Sequence, residues 1–504
     1  MKQKKVNRRK FIGAAAATAA TFSIVPGHVV STRSGKKPPS DRINVANIGC
    51  GTQGLREMGQ MLQHQDLQVV SICDPNTHST DYLDWSPHGI RNGIRKVLGD
   101  PNWGEGVKGI AGGRNVMQHY IEQYYAKNKP SGNYKGLTSY EDFRELLEKE
   151  NDIDAVKIMT PDHLHATVAI AAMKKGKHVI THKPIANRMM EGRKTIQTAR
   201  DTGVKTHLLA WSPKPEHDLV LSWIKDGVIG QLKEIHNWSY RPVWPQWTSN
   251  PTDTPPVPEG FNWDLWLGPV PDRPYHPNYT HNVFRGWYDF GGGSVADMGH
   301  YSLFPLFRNF GIDRAPISAK AYGTTTRTAV DNVCRWVDND VAFPASCIIR
   351  LKFPEQGPLP AFDLYWYDGG MKPFAPEELQ MDDRDIPNEG MMFVGDKGKI
   401  LAKFLGQEPE IIPSSKMASY QGNKTVADVD DESRTDTWAK SIMNDVESPG
   451  SFIYADCVTE TINLAAIALR TGTKVEYDSE KMKITNDAEA NKLLTRYYRP
   501  GWEL

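Results

Sequence analysis

Ile43-Asn44-Val45-Ala46-Asn47-Ile48-Gly49-Cys50-Gly51-Thr52-Gln53-Gly54 is the stretch that decides the fold. A short β-prone run meets a G-x-G-x-x-G turn with nothing between them, and a helix-like segment follows over residues 55–64. A second apolar run, 67–73, ends at Asp74. Strand, glycine turn, helix, strand and acid in this order form the context in which the glycine pattern binds a dinucleotide. Gly49 permits the tight turn, and Gly51 lets the backbone approach a pyrophosphate. Gly54 lets the helix pack closely on the strand, so that the amides around Thr52 and Gln53 face the phosphates. A carboxylate at Asp74 can bind the ribose hydroxyls of NAD. It would repel a 2′-phosphate, and no Arg or Lys occurs in residues 75–80, so NAD is favoured over NADP. The same glycines also fit a plain turn without nucleotide.

Outward from this unit the alternation continues. Residues 80–136 read as an insertion rich in Gly, Asn and Trp with one helix near 116–127; so long an insertion between strands is usually functional or mobile. Then come a helix over 139–149, a strand over 154–159, a helix over 163–175, a strand over 178–181, a helix over 187–202 and a strand over 204–210. Such alternation predicts a parallel sheet with helices on both faces, and an α/β Rossmann domain over 41–211. Ligands in these sheets sit beyond the carboxyl ends of the strands. Thr160-Pro161-Asp162-His163-Leu164-His165 and Thr181-His182-Lys183-Pro184 fall there.

Upstream, residues 1–35 read as an export signal and linker. Nine of the 60 basic residues and none of the 60 acidic ones fall within residues 1–40. Arg8-Arg9 precedes a 15-residue stretch of apolar and small residues, 11–25, shorter than the ~20 apolar residues of a membrane span. Asn7-Arg8-Arg9-Lys10-Phe11-Ile12 resembles a twin-arginine signal. No cysteine follows to carry a lipid anchor. The expectation is a periplasmic protein without a membrane anchor, exported by the twin-arginine route. The rest of the chain is mildly acidic and carries no basic stripe, which argues against a nucleic-acid partner. Apolar residues at 39% and charged residues at 24% exclude a disordered or collagen-like chain. Five cysteines without a C-x-x-C pair indicate neither a disulfide framework nor a structural zinc site.

After residue 211 the character changes. Trp238, Trp244, Trp247, Trp263 and Trp266 crowd a proline-rich region without a long helix, suited either to core packing or to stacking on sugar faces. Strand-like runs follow at 231–240, 317–322, 346–353, 361–366, 391–394 and 399–404. No helices separate them regularly, so residues 212–504 are expected to form an α+β domain with a large, mainly antiparallel open sheet and helices near 437–445 and 455–470. Within it lies Arg285-Gly286-Trp287-Tyr288-Asp289-Phe290-Gly291-Gly292-Gly293-Ser294-Val295-Ala296-Asp297-Met298-Gly299-His300-Tyr301. A helix beginning near Ser294 puts Asp297 and His300, three apart, on one face. A carboxylate beside an imidazole can orient it as a general base. The same residues also fit a capped helix packing on a sheet around a satisfied histidine. His163, His165 and His300 lack a diagnostic metal-ligand spacing, and no metal is expected.

Together these motifs resemble the glucose–fructose oxidoreductase / inositol dehydrogenase / rhizopine-catabolism (Gfo/Idh/MocA) family over about residues 42–504. The marks are Gly49 to Gly54, Asp74, the Thr160 to His165 and His182-Lys183-Pro184 segments, the Gly291 to His300 stretch, Thr459-Glu460, 466–474 and 498–504. The resemblance implies an NAD(P)-dependent oxidoreductase acting on a sugar or polyol carbinol, and a homo-oligomer, dimer or tetramer. It makes Lys183 the catalytic residue that binds the reacting hydroxyl. The implied cofactor set is Gly49, Gly51, Thr52, Gln53, Gly54, Asp74, Thr160, Pro161, Asp162, His165, His182 and Lys183. The implied substrate set is Lys183, Arg285, Trp287, Asp297 and His300. Two departures stand out: the family usually has Glu-Lys-Pro where this chain has His182-Lys183-Pro184, and commonly sets its histidine four after the aspartate, where this chain has Tyr301. Either His300 with Asp297 takes the hydroxyl proton, or Tyr301 does. A periplasmic member would have to keep and recycle its cofactor, either by reducing a second substrate or by transient oxidation, elimination and re-reduction that cleaves a glycoside. A non-catalytic sugar or nucleotide sensor is the alternative outside enzymology.

Overall fold

Alternating strand and helix from Ile43 onward builds a six-stranded sheet in the order β3-β2-β1-β4-β5-β6, with every pair parallel. The strands are β1 (Ile43–Ile48), β2 (Leu67–Cys73), β3 (Thr138–Tyr140), β4 (Ala155–Ile158), β5 (His178–Thr181) and β6 (Thr206–Leu208). The computed structural model describes residues 41–504 apart from 85, 87, 129–131 and 430–431, and all structural statements concern those residues. The expected export signal at 1–35 lies outside them. The central strands are buried on both faces because helices cover both, which is why β4 reads as a continuous apolar run broken only by the buried Lys157. The strand order reverses between β1 and β4, and a ligand crevice opens at that switch point.

Helix α1 (Thr52–Gln63) turns Leu55, Met58, Met61 and Leu62 inward. The insertion carries two helices rather than the one expected: α2 (Gly89–Leu98) and α3 (Arg114–Lys127). Two glycines in α2 hide its helical character, but Ile90, Ile94 and Leu98 recur every four residues and form its buried stripe. The single helix expected over 139–149 divides. Its first residues form the edge strand β3, and the Asp142 side chain then accepts from the Arg144 N–H to cap α4 (Phe143–Lys149). Helices α5 (Asp162–Lys174) and α6 (Met189–Thr202) lie where the sequence puts them, and α7 (Pro215–Lys225) supplies an eleven-residue helix just past 211 that the proline-rich composition had concealed.

The second sheet has nine strands in the order β15-β14-β13-β7-β12-β11-β8-β16-β17. They are β7 (Leu232–Trp238), β8 (Ser318–Gly323), β11 (Cys347–Phe353), β12 (Phe362–Tyr367), β13 (Gly390–Gly395), β14 (Lys399–Ala402), β15 (Glu410–Ile412), β16 (Val475–Asp478) and β17 (Lys483–Ile484). The sheet is antiparallel except where β12 runs parallel to β7. Helices α8 (His300–Phe310), α9 (Arg434–Met443) and α10 (Asp456–Thr471) complete the chain's main elements. Phe304, Phe307 and Ile462 meet Ile349, Leu351, Leu364 and Trp366 in one apolar cluster that also contains Ile48 and Val156 of the first sheet and Leu164 of α5. This unbroken core fixes the second sheet against the crevice of the first. The tail returns to the same junction, where Arg496 Nε lies 2.6 Å from the buried carboxylate of Glu191.

A hairpin of β9 (Thr326–Val330) and β10 (Val333–Val337) stands apart as its own two-stranded sheet. Asp331 and Asn332 at its tip take left-handed φ values of 51° and 60°, the backbone that a two-residue hairpin turn demands. No helix among the described residues is long and apolar enough to cross a membrane.

Candidate active site

The crevice at the switch point is a cavity of ≈ 320 Å³. One end is lined by Gly49, Gly51, Thr52, Gln53, Asp74 and Tyr82, the other by His182, Lys183, Arg285, Asp297 and Tyr301. The glycine end fits a dinucleotide. Gly49 has a φ of 104°, and a Cβ there would lie 2.4 Å from the Met159 carbonyl carbon; a Cβ on Gly54 would lie 2.3 Å from the Gly49 oxygen. The turn therefore closes around backbone alone, leaving the start of α1 to face an anion. Asp74 accepts from the Cys50 N–H (2.6 Å) and the Asn76 N–H (2.8 Å). Each carboxylate oxygen keeps a lone pair for a ribose hydroxyl. Burial pushes this carboxyl up, against those backbone donors and the Arg114 guanidinium that the insertion brings near. These residues would hold NAD by its pyrophosphate and ribose. A second cavity, ≈ 430 Å³, lies around the insertion beside His78, Trp103 and His119 and shares none of these residues.

At the far end the loop after β5 places Lys183. Its ammonium donates to Asp297 Oδ1, and both side chains are buried. Arg285 Nε lies 3.5 Å from the same oxygen. Burial alone would raise the Asp297 carboxyl, but the Lys183 and Arg285 cations outweigh it and hold the group below the usual carboxylate range. Burial also pulls Lys183 below a free lysine's range, with Asp297 opposing and Arg285 reinforcing the shift. A charged pair poised in this way can donate to a substrate oxygen.

Asp297 sits in a π-helical turn, Val295–Gly299, that runs directly into α8. This corrects the expected face. A π-turn holds one more residue than an α-turn, so the residue four after Asp297 comes round to the cavity and the residue three after it does not. Tyr301 lines the cavity, with its ring centre 5.1 Å from Lys183 Nζ and its hydroxyl 2.9 Å from His182 Nε2. His300 turns into the core. Its ring is fully buried and outside the cavity lining, and Nδ1 lies 3.0 Å from its own helix's Ala296 carbonyl. Burial pulls His300 down to about 3. The structure therefore does not bring His300 to the place where a general base would act. Burial also lowers His182, and the nearby Lys183 and Arg285 cations add to the shift. It is a neutral imidazole whose Nε2 can accept a hydrogen bond from the Tyr301 hydroxyl. Burial raises the Tyr301 phenol.

Other expected contacts sort in the same way. Thr160 and Pro161 line the cavity, while Gly54, Asp162 and His165 do not. Asp162 accepts from the Gly292 N–H at 3.3 Å and lies 3.9 Å from Arg285 Nε, holding the glycine run against α5. His165 bridges two loops, with ring nitrogens 2.5 Å from the Pro184 carbonyl and 2.8 Å from that of Thr160. Trp287 is 1% exposed and stacks on Trp247 at 4.9 Å, so it builds an aromatic core and does not face a substrate. Of the tryptophans weighed for sugar stacking, Trp244 and Trp266 line the cavity; the residues missed by sequence reasoning include Tyr82, Arg241, Phe261, His281 and Phe284, all in the lining, together with Arg434, whose guanidinium lies 5.6 Å from the Tyr301 ring centre. They come from irregular segments or, for Arg434, from a helix start, where no spacing signals a site.

A family model described as "Oxidoreductase family, C-terminal alpha/beta domain" matches residues 217–358 and 377–504, and one described as "Oxidoreductase family, NAD-binding Rossmann fold" matches residues 116–209. A levoglucosan dehydrogenase of Pseudarthrobacter phenanthrenivorans is 34% identical over 114 residues, 21% of this chain and 29% of that protein. A glycosyl hydrolase family 109 protein of Shewanella baltica is 26% identical over 243 residues, 45% of this chain and 44% of that protein. The chain thus spans less than half the length of these curated relatives. Among solved structures, the WlbA dehydrogenase from Bordetella pertussis, in complex with NADH and UDP-GlcNAcA, has a TM-score of 0.51 at 14% identity, covering 87% of this chain and 99% of that one. That likeness is one of fold. With the glycine-turn crevice and both family models in place, the chain belongs to the Gfo/Idh/MocA family of NAD-binding oxidoreductases.

Proposed function

We propose that the protein is an exported oxidoreductase that acts on a carbinol carbon of a sugar, glycoside or polyol and keeps its nicotinamide cofactor through the cycle. The observation that carries this reading is the pairing of Lys183–Asp297 with Tyr301–His182 at one end of a cavity whose other end is the glycine turn and Asp74. When bound, NAD supplies a hydride acceptor. The Lys183 ammonium donates to the reacting oxygen and stabilises the negative charge that grows on it as hydride departs. Asp297 aims that ammonium. Tyr301 relays the hydroxyl proton through its hydrogen bond to His182 Nε2, an imidazole whose lowered basicity makes it a carrier that passes the proton on and does not hold it, and the same path returns it when a carbonyl is reduced. Trp244, Trp266 and Phe284 wall the cavity with apolar surface and keep water from the reacting carbon.

The basic, twin-arginine-like start supports export. Outside the cytosol there is no free nicotinamide pool, so each turnover must restore the cofactor. Reduction of a second carbonyl substrate does this. A second reading is favoured by the family 109 relatives: the transient carbonyl acidifies a neighbouring C–H, a leaving alcohol is expelled, water adds, and the hydride returns, so a glycoside is cleaved without net redox change. The test is to denature the purified protein and identify released nucleotide by mass spectrometry, then to screen donor–acceptor pairs and glycosides. Bound NAD with paired redox turnover supports the first reading, and glycoside cleavage supports the second. A protein that turns over neither substrate class is left as a sensor. Lys183→Ala should abolish turnover with nucleotide still bound; full activity in that variant would overturn the assignment.

A further inference from the structure

The eight residues after the ribose-facing carboxylate, 75–82, are fastened from both sides. From the second region, the Asn262 N–H donates to the Pro75 carbonyl (2.9 Å), and the Thr77 N–H donates to that of Gly260 (2.8 Å). From the insertion, the Arg114 N–H donates to Asn76 (2.9 Å), the Asn115 N–H to Thr77 (3.0 Å), and Ser79 and Gly112 exchange both backbone bonds (3.1 and 3.0 Å). The Gly113 N–H donates to the Cys50 carbonyl (3.0 Å), so the insertion is tied to the glycine turn itself. A segment held by this many backbone bonds opens only when they break together.

Tyr82 is the centre of this arrangement. It is 8% exposed, with its ring wedged between two glycine backbones: a Cβ on Gly51 would lie 3.0 Å from a ring carbon, and one on Gly112 would lie 2.7 Å away. Its hydroxyl accepts from Asn76 Nδ2 at 3.1 Å. The His281 ring sits against it with centroids 4.0 Å apart, and His281 Nε2 lies 3.0 Å from Asp81 Oδ1. That hydrogen bond holds the Asp81 carboxyl well below the usual carboxylate range. His281 has a φ of 53°, a conformation that a residue with a side chain keeps only where its contacts hold it. It also begins the short helix His281–Gly286, which delivers Arg285 to Asp297. Asp74, Tyr82 and His281 line the same cavity as Lys183.

We infer that Tyr82, His281 and Asp81 form a clasp over the glycine turn and Asp74 that keeps the dinucleotide bound from one turnover to the next. The aromatic pair covers the adenosine half of the site, and the Asp81–His281 contact holds the pair closed. The inference rests on the retained cofactor proposed above, since a coenzyme exchanged in every cycle has no use for a clasp.

The test loads the full-length purified protein with NADH and follows loss of bound-NADH fluorescence after excess NAD is added. His281→Asn removes the ring but tolerates the left-handed backbone, so the fold is spared. Tyr82→Phe removes only the bond to Asn76. Far-UV circular dichroism checks that both variants fold. Slow release from the wild type, about tenfold or more faster release from His281→Asn and a smaller increase from Tyr82→Phe are expected, a tenfold change being the loss of one good contact. Slow release from wild type and His281→Asn alike overturns the clasp and leaves the retained cofactor standing. Fast wild-type release that becomes faster still in His281→Asn overturns the clasp together with retention and leaves His281 as an ordinary binding contact. Equally fast release from both overturns the two together.

Discussion

The Tyr301 hydroxyl lies 2.9 Å from His182 Nε2, while His300, one residue earlier, points its ring at its own helix backbone. The π-turn at Val295–Gly299 separates the two side chains. It also brings together the two residues in which this chain departs from the pattern the resemblance implies, since His182 and Tyr301 are each other's partners.

Tyr301→Phe keeps the ring and removes the hydroxyl. We expect kcat to fall by about 100-fold, the low end for loss of a general acid–base group, with KM little changed and nucleotide content intact. His182→Ala should cost a similar factor, and the double variant no more than the larger single loss, because the two act as one unit. Steady-state kinetics on the three proteins checks this. Multiplying losses would show that the residues act separately.

Asp297→Asn tests the cation. Asp297 is the group that opposes the downward pull of burial and Arg285 on Lys183. Without that carboxylate the ammonium loses its proton at lower pH, and if the ammonium is the active form, the alkaline limb of the kcat profile moves to lower pH. A limb that stays in place would mean that Lys183 does not set it.

Much of this was readable from the chain. The Gly49–Gly54 turn and Asp74 were legible because a local backbone requirement dictates them, and Lys183 was legible by resemblance. The choice between His300 and Tyr301 was not, because one extra residue in a helical turn leaves no mark on sequence spacing. Trp287 belonged to the substrate set implied by the resemblance but is consumed by its stack on Trp247. Tyr82 and His281 lie 199 positions apart in segments without periodicity, and only the fold brings their rings to 4.0 Å. The hairpin at Asp331-Asn332 had a visible signal, a turn pair between β-branched residues, that the reading passed over.

Gly54→Ala should separate fold from cofactor. The new methyl group meets the Gly49 carbonyl oxygen, so α1 must shift away from β1, at a cost of about 1–3 kcal/mol. Because that shift moves the amides that face the pyrophosphate, nucleotide content should fall even at temperatures where the variant is fully folded. Denaturant titration beside mass spectrometry of released nucleotide reads both effects. A destabilised variant with full nucleotide content would show that the turn tolerates the shift.

Burial holds His163, His207, His217 and His300 neutral in the folded protein, each pulled down to about 3. In the unfolded chain such groups titrate near ~6.5. Between these values the unfolded state carries one more proton at each site, so stability rises with pH across the window and is lost as pH falls from about 6.5 towards 3. Each histidine contributes about 1.4 kcal/mol per pH unit, and four together outweigh a typical stability of about 5–15 kcal/mol within two or three units. We therefore expect steep, cooperative acid unfolding. His300→Leu should flatten the slope of unfolding free energy against pH by close to one proton while leaving kcat near the wild-type value, since the ring touches no part of the cavity. Urea titrations at a series of pH values, with kcat measured on the same samples, decide the matter. A slope that does not change would remove His300 from the neutral buried set, and a collapse of kcat in a folded variant would return it to the chemistry.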